Sequence, residues 1–124
     1  MSKATIDEIT INGETYVKKS SIQKMAPEFN GMKYCIVRTY SAGVFAGLLE
    51  SRAGKEAVIR CVRRIWYWDG ACSLSQLAKD GTAKPENCKF AVTVDKIEVT
   101  EAIEIIECTE KAMKSIMGVP EWKK

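Results

Sequence analysis

The run Arg63-Arg64-Ile65-Trp66-Tyr67-Trp68 sets two guanidinium groups beside three flat rings within six residues. A guanidinium is a planar fork of donors that matches phosphate and carboxylate, and its flat cation stacks on aromatic faces. Such a run can grip a phosphate with one part and stack a base against the other. A competing reading makes Trp66 and Trp68 core anchors and leaves the arginines as strand ends, in water or paired with glutamates. Both readings stand at this point. All five arginines, Arg38, Arg52, Arg60, Arg63 and Arg64, fall within residues 31–68, where seven Lys or Arg face two acids on a chain of net charge +3. This segment is therefore the anion-facing part. Its surplus is too small for long duplex DNA, and no basic helix is available to lie in a groove, so sequence-specific DNA binding is not expected.

Most catalytic chemistry has no residues to use. Histidine is absent, which removes Ser-His and Cys-His nucleophile pairs and histidine-ligated metals. The five cysteines, at 35, 61, 72, 88 and 108, form no CxxC pair, so neither a zinc site nor a disulfide framework is expected. Four of them border apolar runs and read as buried, reduced thiols. Tyr40 and Ser41 lack an activating base other than lysine or carboxylate. The small residues of 41–47 make a turn without the Lys-Ser/Thr of a P-loop. Glu101, Glu104 and Glu107, with Asp95 and Glu98, read as a solvated acidic face rather than as metal ligands. The chain is expected to be no enzyme and to need no metal or cofactor.

The elements that would carry these residues follow from periodicity and turn chemistry. Apolar content of 46% and charged content of 28% over 124 residues fit one folded α+β domain. A β-meander is expected from strands at 34–40, 44–51 and 57–68. The last of these lacks clean alternation, which implies burial on both faces or a bulge that shifts its register. Ser73 caps a short helix at 74–79, stopped at Asp80-Gly81. Phe90, Val92 and Val94 alternate as a half-buried strand, turned at Asp95-Lys96 into Ile97 and Val99. Residues 100–107 combine helical glutamate spacing with β-branched content, and the latter favours a strand. Thr109 caps a final helix with Ala112, Met113, Ile116 and Met117 as its apolar stripe, ended by Gly118 and Pro120; residues 121–124 are expected to fray.

Ahead of this core, Asn12-Gly13 between apolar runs predicts a type I′ hairpin, and Ser20 or Ser21 can cap a helical turn at 22–25. Residues 1–30 thus read as an assembly or docking appendage, 27–32 as its linker, and 31–124 as the core α+β ligand-binding domain. No apolar run is long enough to span a membrane and no signal segment opens the chain, so a cytoplasmic location is expected.

The strings Val37-Arg38-Thr39-Tyr40-Ser41-Ala42-Gly43-Val44-Phe45-Ala46-Gly47, the Arg63 to Trp68 run, 73–78, Cys88-Lys89-Phe90 and 100–111 together resemble an uncharacterised family of small proteins from tailed phages and prophages, over residues 35–122. That family is similar to the phage sponges that counter the bacterial Thoeris defence. The resemblance implies a homo-oligomer that sequesters, without cleaving it, a small phosphorylated nucleotide signal such as a cyclic ADP-ribose isomer or a cyclic oligonucleotide, in the cytoplasm of an infected bacterium. It further implies ligand contacts at Arg38, Tyr67 and Phe90, with Arg63 and Trp68 as second choices. Relatives place arginine where Tyr67 stands, which bears on which ligand is held. Two rival functions remain: an accessory protein docking on a host or virion protein, and a weak binder of single-stranded nucleic acid.

Overall fold

The computed structural model describes residues 8–11, 14–17 and 24–123. Strands β1 (Glu8–Ile11) and β2 (Glu14–Val17) pair antiparallel, Ile11 opposite Glu14, as a separate two-stranded sheet. The expected Asn12-Gly13 turn, and the capped turn at 22–25 apart from its last two residues, lie outside the described residues.

The core is an α+β fold with a six-stranded antiparallel sheet. Strands β3 (Lys33–Thr39), β4 (Val44–Ala53) and β5 (Glu56–Tyr67) form the meander that the turn residues delimit. Helix α1 (Leu74–Asp80) follows, with Ser73 accepting from the Gln76 N–H and Gly81 closing it at φ 77°. Next come a 3-10 turn at Pro85–Asn87, β6 (Lys89–Phe90), β7 (Val94–Val99), β8 (Ala102–Glu107) and α2 (Glu110–Gly118), the last capped by Thr109 on the Ala112 N–H. The order is β6-β5-β4-β3-β8, with β7 alongside β6 on the free edge of β5.

Strands β7 and β8 lie at opposite edges, yet only Thr100 and Glu101 join them, so the sheet must curl. The Ala102 N–H bonds the Lys55 carbonyl in the β4–β5 turn at 2.9 Å, which ties one edge toward the other. The curl encloses Cys35, Val37, Phe45, Ile59 and Val62 in an inner cluster that contains no helix residue. The outer face packs Tyr34, Ile36, Ala46, Ile65 and Phe90 against Leu77 of α1 and Met113 and Ile116 of α2. Apolar burial on both faces of three central strands explains their nearly continuous hydrophobic sequence.

The expected bulge falls at Cys61. Ala46 pairs with Arg63 but Leu48 with Arg60, so Gly47 faces two residues of β5, and Cys61 takes a left-handed φ of 48°. A Cβ on Gly47 would stand 2.8 Å from the Arg60 carbonyl oxygen, so only glycine fits opposite the bulge. The bulge also turns Cys61 outward, and Cys72 is exposed in the polar loop before α1; only Cys35, Cys88 and Cys108 are buried, which corrects the expectation for those two thiols.

Two further expectations need correcting. There is no turn at Asp95-Lys96; β7 runs through it, and the break comes at 91–93 instead. At that break Arg63 takes the carbonyls of Phe90 and Ala91, which draws the chain out of strand pairing. Residues 121–123 do not fray either: the Trp122 backbone N–H donates to the Phe90 carbonyl at 2.9 Å and the Trp122 ring receives Lys89 at 5.5 Å, while residue 124 lies outside the described residues. At the other end, residues 24–32 are bonded to the core through Ala26 to Cys108 and Glu110 to Lys24. Asn30 and Gly31, at φ 54° and 79°, make a two-residue turn between mutually bonded Phe29 and Met32.

Candidate functional site

Each arginine of the meander meets a different environment. Arg38 leaves the outer face of β3 and donates to Glu104 of β8 at 2.9 Å, half exposed on both sides. Arg60 is held by Glu50 at 2.5 Å and Asp95 at 3.1 Å, and the Glu50 hydrogen bond raises its pKa above the ordinary value. These two charges are already neutralised by carboxylates.

Arg63 is only 4% exposed. Its Nε donates to Ala91, one Nη to Ile116 and Val119, and the other to Phe90, all carbonyl oxygens at 2.9–3.3 Å. Two of those oxygens close α2, where helix carbonyls lack internal partners and the dipole favours a cation. Burial lowers the Arg63 pKa, opposed by Tyr34 and then Glu121. The side chain is a bolt joining α2 and β6, with four of its five N–H donors spent on these carbonyls and the group itself sealed from solvent.

Arg52 is exposed on β4 and forms no ion pair among the described residues, and Arg64 likewise meets no carboxylate but, unlike Arg52, is packed against rings. It rests 4.8 Å from the centre of the Phe45 ring and 5.3 Å from that of Trp66. Its Nε is buried with no hydrogen-bond partner, and no carboxylate of the described residues lies within ion-pair distance of it. Phe45 is sealed in the inner cluster, whereas Trp66 is 59% exposed. A guanidinium braced by two rings keeps its fork oriented without an anion, and an exposed indole beside it offers a stacking surface.

The positions named from sequence therefore do not form one site. Phe90 is fully buried under α2 and reaches no surface. Trp68 is half-buried against the outer cluster and donates its indole N–H to the Ala71 carbonyl at 3.2 Å. Tyr67 is 51% exposed but pairs with Lys89 at the β6 edge. The two rival readings of the indoles divide between them: Trp68 is an anchor, Trp66 is free. Arg64 and Trp66 belonged to the run singled out first, yet were not chosen. Strand alternation was the available signal, because residues 64 and 66 share a face with each other and not with 63.

Among the described residues no three Cys, Asp or Glu side chains gather as a metal ion would require, and no helix is long and apolar enough to cross a membrane. A family model described as Domain of unknown function (DUF6948) matches residues 32–116. The chain belongs to that family. The DUF6948 span runs from the start of β3 to Ile116 in α2, so it contains Arg63, Arg64 and Trp66, while the Phe29 turn and the Trp122 contact fall outside it. No curated protein and no solved structure matches the chain.

Proposed function

We propose that the protein binds a small molecule joining a phosphate-type anion to a flat ring, and holds it without chemical change. The observation that carries this reading is Arg64, a cation ordered between Phe45 and Trp66 with no counter-charge among the described residues. The Nε is sealed from solvent, so water or a guest anion would pair with the Nη groups of this half-buried side chain, and a guest whose ring covers Trp66 gains stacking as well. The absence of histidine supports binding rather than turnover. The guest class is a phosphorylated nucleotide signal, a cyclic ADP-ribose isomer or cyclic oligonucleotide, held in the cytoplasm of an infected bacterium. Trp66 stands on an open face, so a second copy of the chain is the economical way to cover the guest.

Purified protein is mixed with a panel of cyclic nucleotides while tryptophan fluorescence is followed, then heated, and the released nucleotide is assayed. The expected result is quenching with one member of the panel, depletion of it from solution, and its recovery intact. Arg64→Lys and Trp66→Ala should each weaken binding about tenfold or more, since lysine cannot reproduce a stacked planar fork. Arg38→Ala should leave binding within about twofold, because that charge is already spent on Glu104. Recovery of a cleaved nucleotide would make the protein an enzyme, and no depletion across the panel would remove the reading.

A further inference from the structure

The end of α1 and the start of α2 border a cavity of about 400 Å³, lined by Lys24, Lys79, Thr109, Glu110, Lys111 and Lys114. That volume falls within the range of about 300–1,000 Å³ usual for small-molecule sites. Four ammonium groups and one carboxylate thus surround a single hollow. The fold gathers this positive surplus from three places: the segment before β3, the last turn of α1 and the first turns of α2. No excess marks the α2 lysines in sequence, since residues 89–124 hold six basic side chains against seven acids. The cavity lies with the helices on the outer face of the sheet, whereas Arg64 rests on Phe45 of the inner cluster, so the two places are separate.

Glu110 is shared between two of these lysines, Lys24 at 3.3 Å and Lys114 at 3.7 Å. No carboxylate of the described residues lies within ion-pair distance of Lys79 or Lys111. The two shared lysines are 79% and 71% exposed, and ion pairs so open to water are weak, so an arriving anion can take them over. The main chain at this end of α2 is already occupied. The N–H groups of Thr109, Glu110 and Ala112 are taken by the Ala78 carbonyl, the Lys24 carbonyl and the Thr109 hydroxyl oxygen, and that hydroxyl donates to the Lys79 carbonyl. Recognition therefore falls to the ammonium groups, point charges on flexible stems that suit phosphate oxygens. No ring and no guanidinium lines the cavity, so nothing in it selects a base. One small ion cannot touch lysines spread around so wide a hollow, whereas a chain of phosphates can.

We propose that this cavity is a binding site for a compact phosphate chain, free or carried as the tail of a nucleotide. The full chain is titrated calorimetrically with inorganic tripolyphosphate at about 0.15 M salt, where distant surface charges are screened. Tripolyphosphate should bind, with orthophosphate and citrate weaker by about tenfold or more. Lys79→Gln and Lys111→Gln should each weaken tripolyphosphate about fivefold. Lys55→Gln, which removes the same charge from an exposed position in the β4–β5 turn, should change it by less than about twofold. Glu110→Gln should tighten it about threefold by releasing Lys24 and Lys114, a gain that no loss of folding imitates. Adenosine triphosphate is run alongside: equal affinity, lost in the same lysine variants, marks a nucleotide tail as the source, and weaker affinity marks a free chain. Hexaglutamate binding more tightly than tripolyphosphate would make the cavity a dock for an acidic protein segment. That result, no binding of tripolyphosphate, citrate as its equal, or the same weakening from Lys55→Gln as from Lys79→Gln would each overturn the proposal.

Discussion

Removing the Arg63 side chain would leave the carbonyls of Ala91 and Val119 without the donor that satisfies them, and would take a second donor from Phe90 and Ile116, which keep the backbone N–H groups of Trp122 and Val119. Each unpaired buried acceptor costs about 1–3 kcal/mol, partly relieved where water can enter. We therefore expect Arg63→Ala to lower unfolding stability by about 3–5 kcal/mol in a urea titration. Arg64→Ala should cost less than about 1.5 kcal/mol, because it loses ring contacts and no hydrogen bond. Equal losses from the two substitutions would refute the division of labour between these neighbours. Residue types alone could not reveal that division. Whether a guanidinium meets a carboxylate, a helix end or a ring depends on which strand lies alongside and on the phase of the bulge between them. Arg38 meets Glu104 only because β3 pairs with β8, a contact between residues far apart in the chain. Phe90, named as a ligand contact by resemblance, carries no local mark to distinguish a ring under α2 from one facing solvent.

Among the elements, the bulged β5 matters most. Its twelve residues serve β4 along one side and both β6 and β7 along the other, and the bulge lets the strand bend so that inner and outer clusters both close. Gly47→Ala tests this. The added methyl meets the Arg60 carbonyl and the Val62 backbone inside 3 Å, so β4 and β5 must separate. A loss of about 2–3 kcal/mol is expected, against about 1 kcal/mol gained or lost at an unhindered glycine. A neutral effect would mean that the strands part easily here. The meander, both helix caps and the strand at β8 were readable in advance because each rests on local chemistry: alternation, Ser73 and Thr109 as caps, β-branching over 102–107. The break at 91–93 was not, since its cause is a side chain from another strand. The docking of Trp122 likewise depends on a carbonyl freed by that break.

At the scale of the whole molecule, the two clusters share β3, β4 and β5 as a common wall, so neither can open while the other stays closed. Cys35 belongs to the inner cluster and Cys108 to the outer one. Burial pushes their thiols up to about 11 and about 12 respectively, and at pH 8 the folded protein presents almost no thiolate at either. Labelling at these two positions therefore reports unfolding. With thiol reagent in rising sub-denaturing urea, Cys35 and Cys108 should become reactive with the same free energy and the same urea slope, while Cys61 and Cys72 react at once. If Cys35 labels at lower urea than Cys108, the curled sheet opens independently of its helices and the shared-wall description fails.

The bolt at Arg63 also constrains how this family can diverge. A position that must supply four donors to two helix-end oxygens, one strand oxygen and one in the break that follows it admits no substitute, because lysine has three donors on a single atom and glutamine two. Position 64, one step along the chain, answers to whatever lies outside. As descendants of a common ancestor drift apart, residue 63 should therefore stay arginine in every member that keeps this last helix turn, while residue 64, whose side chain hydrogen-bonds no described residue, should vary more freely.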